Sequence, residues 1–257
     1  VYLRDEAVVL KKTAYRESDR RYVLYGLHHG LLIAVARGAL RPRAKQAGAL
    51  EPFSVAQVML AKGRAHNHLA VASPASGASR LSKLGAFAVA GAFANVCLGL
   101  FHTGVADERI YRLWQDLLAC LSDLPYEPTS VRAELLFMAA TFRLLDILGY
   151  GPALGSCVSC RARLPKADSL YATNGNGLVC PHCRNGWDER RDPLIRVSAD
   201  ALSILRFMRA GAFDDLLRLT APVDILHNAG QVAHGIWTHA PFEREPHGLD
   251  TIRALLA

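Results

Sequence analysis

Four cysteines constrain this chain more tightly than any other feature of its sequence. They stand as CVSC and CPHC, at Cys157, Cys160, Cys180 and Cys183, with two residues inside each pair and 19 between the pairs. A C-x-x-C turn lets two thiolates converge on one ion, and a second pair at this distance completes a tetrahedron. The spacing therefore predicts one structural zinc ion per chain, held by all four thiolates. Four thiolates leave no open position for a reacting water, so the metal is expected to be structural, not catalytic. The segment between the pairs carries NGNG at 174–177 and is expected to fold back as a hairpin. A redox C-x-x-C needs only one pair. Disulfides need an oxidising compartment, and the N-terminal VYLRDEAVVLKK has Arg4, Asp5 and Glu6 where a secretory signal is apolar. His182 reads as a solvated residue of the second knuckle, and Cys97 and Cys120 as buried, inert thiols.

The hydrophobic pattern changes once along the chain. Up to residue 73 the runs EAVVLKK, RYVLYGL, LLIAVARG, FSVAQVMLAKG and NHLAVAS are short, rich in β-formers and separated by turn-like segments. Five strands without a helix-length apolar run predict a small closed barrel. An OB-type barrel leads and an SH3-like barrel is the alternative. SPASGAS, 73–79, reads as a linker. From Arg80 to Tyr150 apolar residues recur at helical spacing, as in Leu135, Met138, Phe142 and Leu145. Asp107 and Ser130 are expected N-caps, and Gly149, Gly151 and Pro152 a helix stop. Two further helices are expected near 198–210 and 222–239. The expected organisation is α+β and multidomain. An OB-type barrel occupies 1–78, a helical domain 79–155 and 187–257, and an inserted zinc-ribbon-like module 156–186. Gly85 to Phe101 has Asn95 as its only polar residue but is shorter than the ~20 residues needed to cross a bilayer. It reads as a central helix, and no membrane partner is expected.

With 257 residues, 51% of them hydrophobic, the chain can bury real cores. Its charge is uneven. Residues 1–85 hold 14 Lys and Arg against 5 Asp and Glu, a net of +9, and the remainder is −2. A partner that is itself densely negative would relieve this. Between the third and fourth strands, Arg37, Arg41, Arg43 and Lys45 fall within nine residues with no acid among them. These four are the first candidates for DNA contact, and Lys11, Lys12, Arg20 and Arg21 extend the set on neighbouring strands. Tyr15, Tyr22 and Tyr25 are candidates for stacking on bases. Positions 22 and 25 face opposite sides of one strand, so at least one belongs to the core.

Nothing in the sequence supports catalysis. There is no P-loop, dinucleotide-binding glycine motif, G-x-S-x-G or H-E-x-x-H. None of the six lysines stands in the K-x-D-G setting of a DNA ligase. The ten histidines form no cluster with ligand spacing.

The stretch from Glu6 to Phe53, with its E-A-x-V-L opening, Y-x-E-S-D step, H-G-L-x-x-A-V-A-R-G-A strand and G-A-L-E-P-F ending, resembles the RecO family of bacterial recombination mediators. LDILGYGPALGSCVSC fits the same family. The resemblance covers about 1–73 and 130–183 and fades after about 190, where FEREPHGLDTIRALLA replaces a basic-serine element common in members. It implies an OB barrel, a helical domain and, in many members, a zinc module. It also implies binding of single- and double-stranded DNA, strand annealing, and partnership with RecR and the C-terminal tail of single-strand binding protein. Through these it implies help in loading RecA onto DNA. The family's basic DNA contacts map onto Arg37, Arg41, Arg43 and Lys45, and a bacterial cytoplasmic, nucleoid-associated location follows. A zinc-bearing RNA-binding or regulatory adaptor is the rival expectation, because OB barrels accept many oligonucleotides.

Overall fold

The computed structural model describes residues 2–40, 49–64, 66–76, 80–165, 167–239 and 248–256. Arg41, Arg43 and Lys45 lie outside the described residues. Two compact units are formed, one by Val1–Ala133 with Pro246–Ala257 and the other by Glu134–Glu245.

The first unit begins with β1 (Tyr2–Tyr15), β2 (Asp19–Gly26), β3 (Gly30–Ala36), β4 (Val55–Ala61) and β5 (Asn67–Pro74). They close into a barrel in the order β1-β2-β3-β5-β4, an OB-type barrel. The β3–β5 pair is parallel and the other pairings are antiparallel. One long strand serves two neighbours. The first half of β1 pairs with β4 and its second half with β2, and the register to β2 shifts between Val9 and Lys11. Val9 is used twice at this shift, donating its N–H to Ser54 O and accepting from Phe53 N. Such an irregularity bends a strand, which closure requires. Inward side chains follow the period of two: Ala7, Val9, Tyr22, Leu24, Ala34, Val58 and Leu60 are almost fully buried in one cluster.

The helices α1 (Leu84–Leu100) and α2 (Glu108–Ser122) follow the barrel, and the last helix of the chain, α8 (Gly248–Leu256), returns to pack on α1. Helix α1 is apolar all round, and ten of its residues are buried, among them Phe93, Val96 and Cys97. Asp107 caps α2, its carboxylate accepting from Arg109 N. The barrel is keyed to this layer. Tyr25 packs on Phe101 at 4.9 Å and its hydroxyl accepts from Asp107 N, while Tyr111 donates its hydroxyl to Glu6. Phe53 lies stacked at 6.5 Å on Trp114. Among the described residues no helix is long and apolar enough to cross a membrane.

Helix α3 (Ser130–Ile147) leads into the second unit. The hydroxyl that caps it belongs to Thr129, which accepts from Arg132 N, and not to the expected Ser130. The helix ends as the glycines predict, with Gly149 at φ +86°. A three-stranded sheet follows, of β6 (Ser169–Ala172), β7 (Gly177–Val179) and β8 (Leu194–Val197) in the order β7-β6-β8, with the short α4 (Pro181–Arg184) between β7 and β8. Helices α5 (Ala199–Ala210), α6 (Phe213–Arg218) and α7 (Val223–His239) complete the unit. The expected helices near 198–210 and 222–239 are α5 and α7. Helices α6 and α8 had no counterpart in the sequence reading. Arg143 of α3 closes the end of α5, donating to the carbonyls of Met208 and Gly211, and its guanidinium lies 4.0 Å from the Phe213 ring centroid.

Candidate metal centre and nucleic-acid interface

The four cysteines are brought together by two tight turns and one hairpin. In the first turn Arg161 N donates to Cys157 O, and Arg161 itself takes φ +61° so that the chain reverses. In the second, Cys180 precedes α4, Pro181 fills the first helical position, and Cys183 N donates to the Cys180 sulfur at 3.4 Å. The expected hairpin joins them, with Ala172 opposite Gly177. Gly177 is needed there because a Cβ would sit 2.5 Å from Val158 Cγ1 and 2.7 Å from Ala153 Cβ. The turn is held from outside by Asp192, whose carboxylate accepts from Asn174 N and Gly175 N.

All four sulfurs lie within 4.8 Å of one another, and Cys160 Sγ is 3.7 Å from Cys180 Sγ. A metal–sulfur bond of about 2.3 Å in a tetrahedron places sulfurs about 3.8 Å apart, so the set fits one ion. The electrostatics agree. Burial raises the Cys157 thiol, but backbone donation from Cys160, Cys180 and Ser159 outweighs it and brings it down to about 6. Cys183 moves the other way, to about 12: the Ser159 hydroxyl opposes the shift, and hydrogen bonds with the Cys180 and Cys160 sulfurs drive it. Without a cation one thiolate forms at the expense of another, whereas a dication lets all four ionise together. Cys97 is fully buried, which raises its thiol strongly, and Cys120 is also buried. Neither belongs to the cluster.

The predicted basic residues divide by strand face. Arg37 is exposed just beyond β3, and Lys11 and Arg21 are exposed on the outer face of β1 and β2. None of the three has an ion-pair partner among the described residues. Lys12 and Arg20 belong to the opposite face. Lys12 pairs across the sheet with Tyr22 and forms an ion pair with Glu51 at 2.5 Å. The Arg20 Nε is buried without a hydrogen-bond partner. Of the tyrosines, Tyr22 and Tyr25 are each 1% exposed, the first inside the barrel and the second against the helices, so neither can stack on a base. Tyr15 alone of the three remains on the surface. Sequence reasoning passed over Arg16, Lys62 and Arg64, which lie in the turns beside it. Their signal was position: the β1–β2 and β4–β5 turns of an OB barrel are its oligonucleotide-facing loops.

Fold and site together define a class, a five-stranded OB-type barrel followed by helices and a four-cysteine cluster that could hold a metal ion. The chain belongs to the recombination protein O (RecO) family. The model of the recombination protein O N-terminal domain matches residues 1–78, and that of its C-terminal domain matches 81–238. The chain is 30% identical over 252 residues to the DNA repair protein RecO of Desulforudis audaxviator, covering 97% of this chain and 96% of that one. It is 27% identical over 220 residues to the protein of the same name from Dehalococcoides mccartyi, covering 86% and 83%. It is also 27% identical over 216 residues to that from Thermoanaerobacter sp., covering 83% and 82%.

Proposed function

We propose that this protein acts in DNA repair as a non-catalytic recombination mediator. It binds single- and double-stranded DNA through the barrel, anneals complementary strands and, with RecR, helps load RecA onto DNA coated by single-strand binding protein. The observation that carries this reading is the outer face of the barrel, where Lys11, Arg21 and Arg37 stand exposed, without ion-pair partners among the described residues. Arg41, Arg43 and Lys45 continue the chain from Arg37 and add to the same charge. Such cations repel one another in the free protein, and a phosphate backbone relieves this while releasing counterions. The work is cytoplasmic and nucleoid-associated. Residues 1–78 are the DNA-binding domain, 79–155 and 187–257 the helical domain, and 156–186 the metal module.

The ion is one structural Zn2+ on Cys157, Cys160, Cys180 and Cys183. Zinc matches an all-sulfur tetrahedral donor set. Bound there, it fixes the two knuckles and supplies no reaction. The acidic, apolar-ended tail of single-strand binding protein docks on the helical domain. Within it, Arg143 is committed to the end of α5, and Arg109 and Arg112 pair with Asp107 and Glu108. Arg132 has no ion-pair partner among the described residues and lies beside exposed Val131.

The test is annealing of complementary strands coated with single-strand binding protein. A mediator accelerates it, and a regulator or RNA adaptor does not. Neutralising Arg41 and Arg43 together is expected to weaken single-strand binding. The log–log salt slope should become shallower by about 0.7 for each phosphate that is no longer neutralised, alike for any base sequence. Absence of both DNA binding and annealing in the full chain would refute the reading.

A further inference from the structure

The four sulfurs that meet in the cysteine cluster are not equally placed. Cys157 is 1% exposed and Cys180 is 7% exposed. Cys183 is half-buried, and Cys160 is exposed. The polar contacts divide them in the same way. Cys157 Sγ accepts from Cys180 N at 3.4 Å, and Cys180 Sγ accepts from Cys183 N at 3.4 Å. Cys183 meets the Ser159 hydroxyl. Cys160 Sγ accepts from no N–H or O–H among the described residues, and its neighbour is the Cys180 sulfur at 3.7 Å.

Both differences bear on reactivity. A hydrogen bond to a thiolate draws electron density from the sulfur and makes it a poorer nucleophile, and burial keeps reagents away. A sulfur at the surface without a donor is the reverse. Oxidation-sensitive cysteines share two features, access from solvent and a second thiol within reach to resolve the first oxidation product. Cys160 has both. A bound ion leaves lone pairs free on its sulfur, and a peroxide oxygen is small enough to reach one in the loaded cluster, whereas a bulky dye must wait for the ion to leave.

We infer that Cys160 is an oxidation site, the sulfur through which a peroxide opens the cluster, with Cys180 as its resolving partner. The inference rests on the zinc reading and adds a reactivity to it. In the first step the Cys160 thiolate attacks one peroxide oxygen. An S–O bond forms, the O–O bond breaks, and the departing hydroxide takes a proton from solvent and leaves as water. Cys160 is then a sulfenic acid. In the second step the Cys180 thiolate attacks the Cys160 sulfur. An S–S bond forms, the S–O bond breaks, and the second hydroxide is also protonated to water. The two thiolates lose two electrons and the peroxide gains them. Only two sulfurs then remain for the ion, too few to hold it, and zinc is released. The disulfide ties the first knuckle to the second across the hairpin, and a thiol reductant reverses it.

The test uses the full chain loaded with zinc, hydrogen peroxide as the oxidant and a metallochromic indicator. Release of about one zinc per chain is expected. Dimedone present from the start should trap the sulfenic acid on Cys160. Without the trap, digestion should yield a disulfide between the peptides that carry Cys160 and Cys180, with Cys97 and Cys120 still reduced. Both maps come from the unaltered protein and depend on no variant folding. Cys160→His keeps a zinc ligand but removes the reactive sulfur, so peroxide should release its zinc about ten-fold more slowly. Cys183→His, matched in donor set, should release zinc at the unaltered rate. If the loaded protein is trapped first on another cysteine, keeps its zinc, or joins Cys160 to a sulfur other than Cys180, the assignment is overturned and the zinc reading stands. If the chain takes up no zinc at all, the broader reading falls with it.

Discussion

Asp5 is the buried acid on which the β2–β3 turn depends. Its side chain is 0% exposed, and it accepts from His28 N at 3.1 Å, from His29 N at 3.0 Å and lies 2.9 Å from His29 Nδ1. Gly26 packs so closely on the carboxylate that a Cβ there would collide with it. Asp5→Ala removes the acceptor and leaves two main-chain donors facing a small void. Each costs about 1–3 kcal/mol when unpaired, and water entering the void offsets part of that, so a loss of about 3–4 kcal/mol is expected. For a unit of this size this lowers the unfolding transition by about 10 °C. Asp5→Asn keeps the shape but turns a donor towards a donor and gives up the charge, so about half the loss is expected. The sharper readout is amide exchange in the full chain, because it reports the turn itself. The amides of His28 and His29 should exchange much faster in both variants, while those of β6 and β7, in the other compact unit, stay as they were. A folded Asp5→Ala with unchanged transition and unchanged exchange at 28 and 29 would refute this account of the turn.

Tyr22 hydroxyl is buried without a hydrogen-bond partner, so Tyr22→Phe should shift stability by less than about 1 kcal/mol and leave DNA affinity unchanged in a binding titration. The Arg109 side chain beside Asp107 holds that carboxyl below its ordinary value. A depressed carboxyl contributes stability above its unfolded value and loses it as pH falls through the folded one, so amides at the start of α2 should exchange faster at the acid end. Asp107→Asn, still a capping residue, should lose that dependence. A thiol-reactive dye should find the four metal-site cysteines only after chelation. Cys97 should stay unreactive until the chain unfolds, because it is fully enclosed. One zinc released per chain, measured with a metallochromic indicator, completes the check.

The elements legible in the sequence were those whose signal is local. The five strands, the 174–177 turn, the Asp107 cap and the glycine stop after α3 each depend on a few adjacent residues, and all were read correctly. Ser130 was misplaced by one position because Thr129 and Ser130 are equally good caps, and only backbone geometry chooses between them. Helix α6 was missed because it has only six residues. Helix α8 was missed because it has only nine residues, and Ile252 is buried only through packing that the sequence cannot announce.

The four-cysteine cluster and the proposed nucleic-acid face differ in legibility for a related reason. Four thiolates at fixed spacing carry their geometry with them, so the cluster could be assembled on paper. Cations carry none. Read along the chain, Lys11 and Lys12 looked alike, as did Arg20 and Arg21. A strand sends neighbours to opposite faces, so one of each pair shares the face of Tyr22, where Lys12 meets Glu51 and the Arg20 Nε is buried. The density of charge in the 37–45 segment drew attention to a loop, while Arg21, Lys62 and Arg64 are spread over 44 positions of sequence and share one groove. What unites them is the fold, which sets the β4–β5 turn beside β2 on the outer face of the barrel.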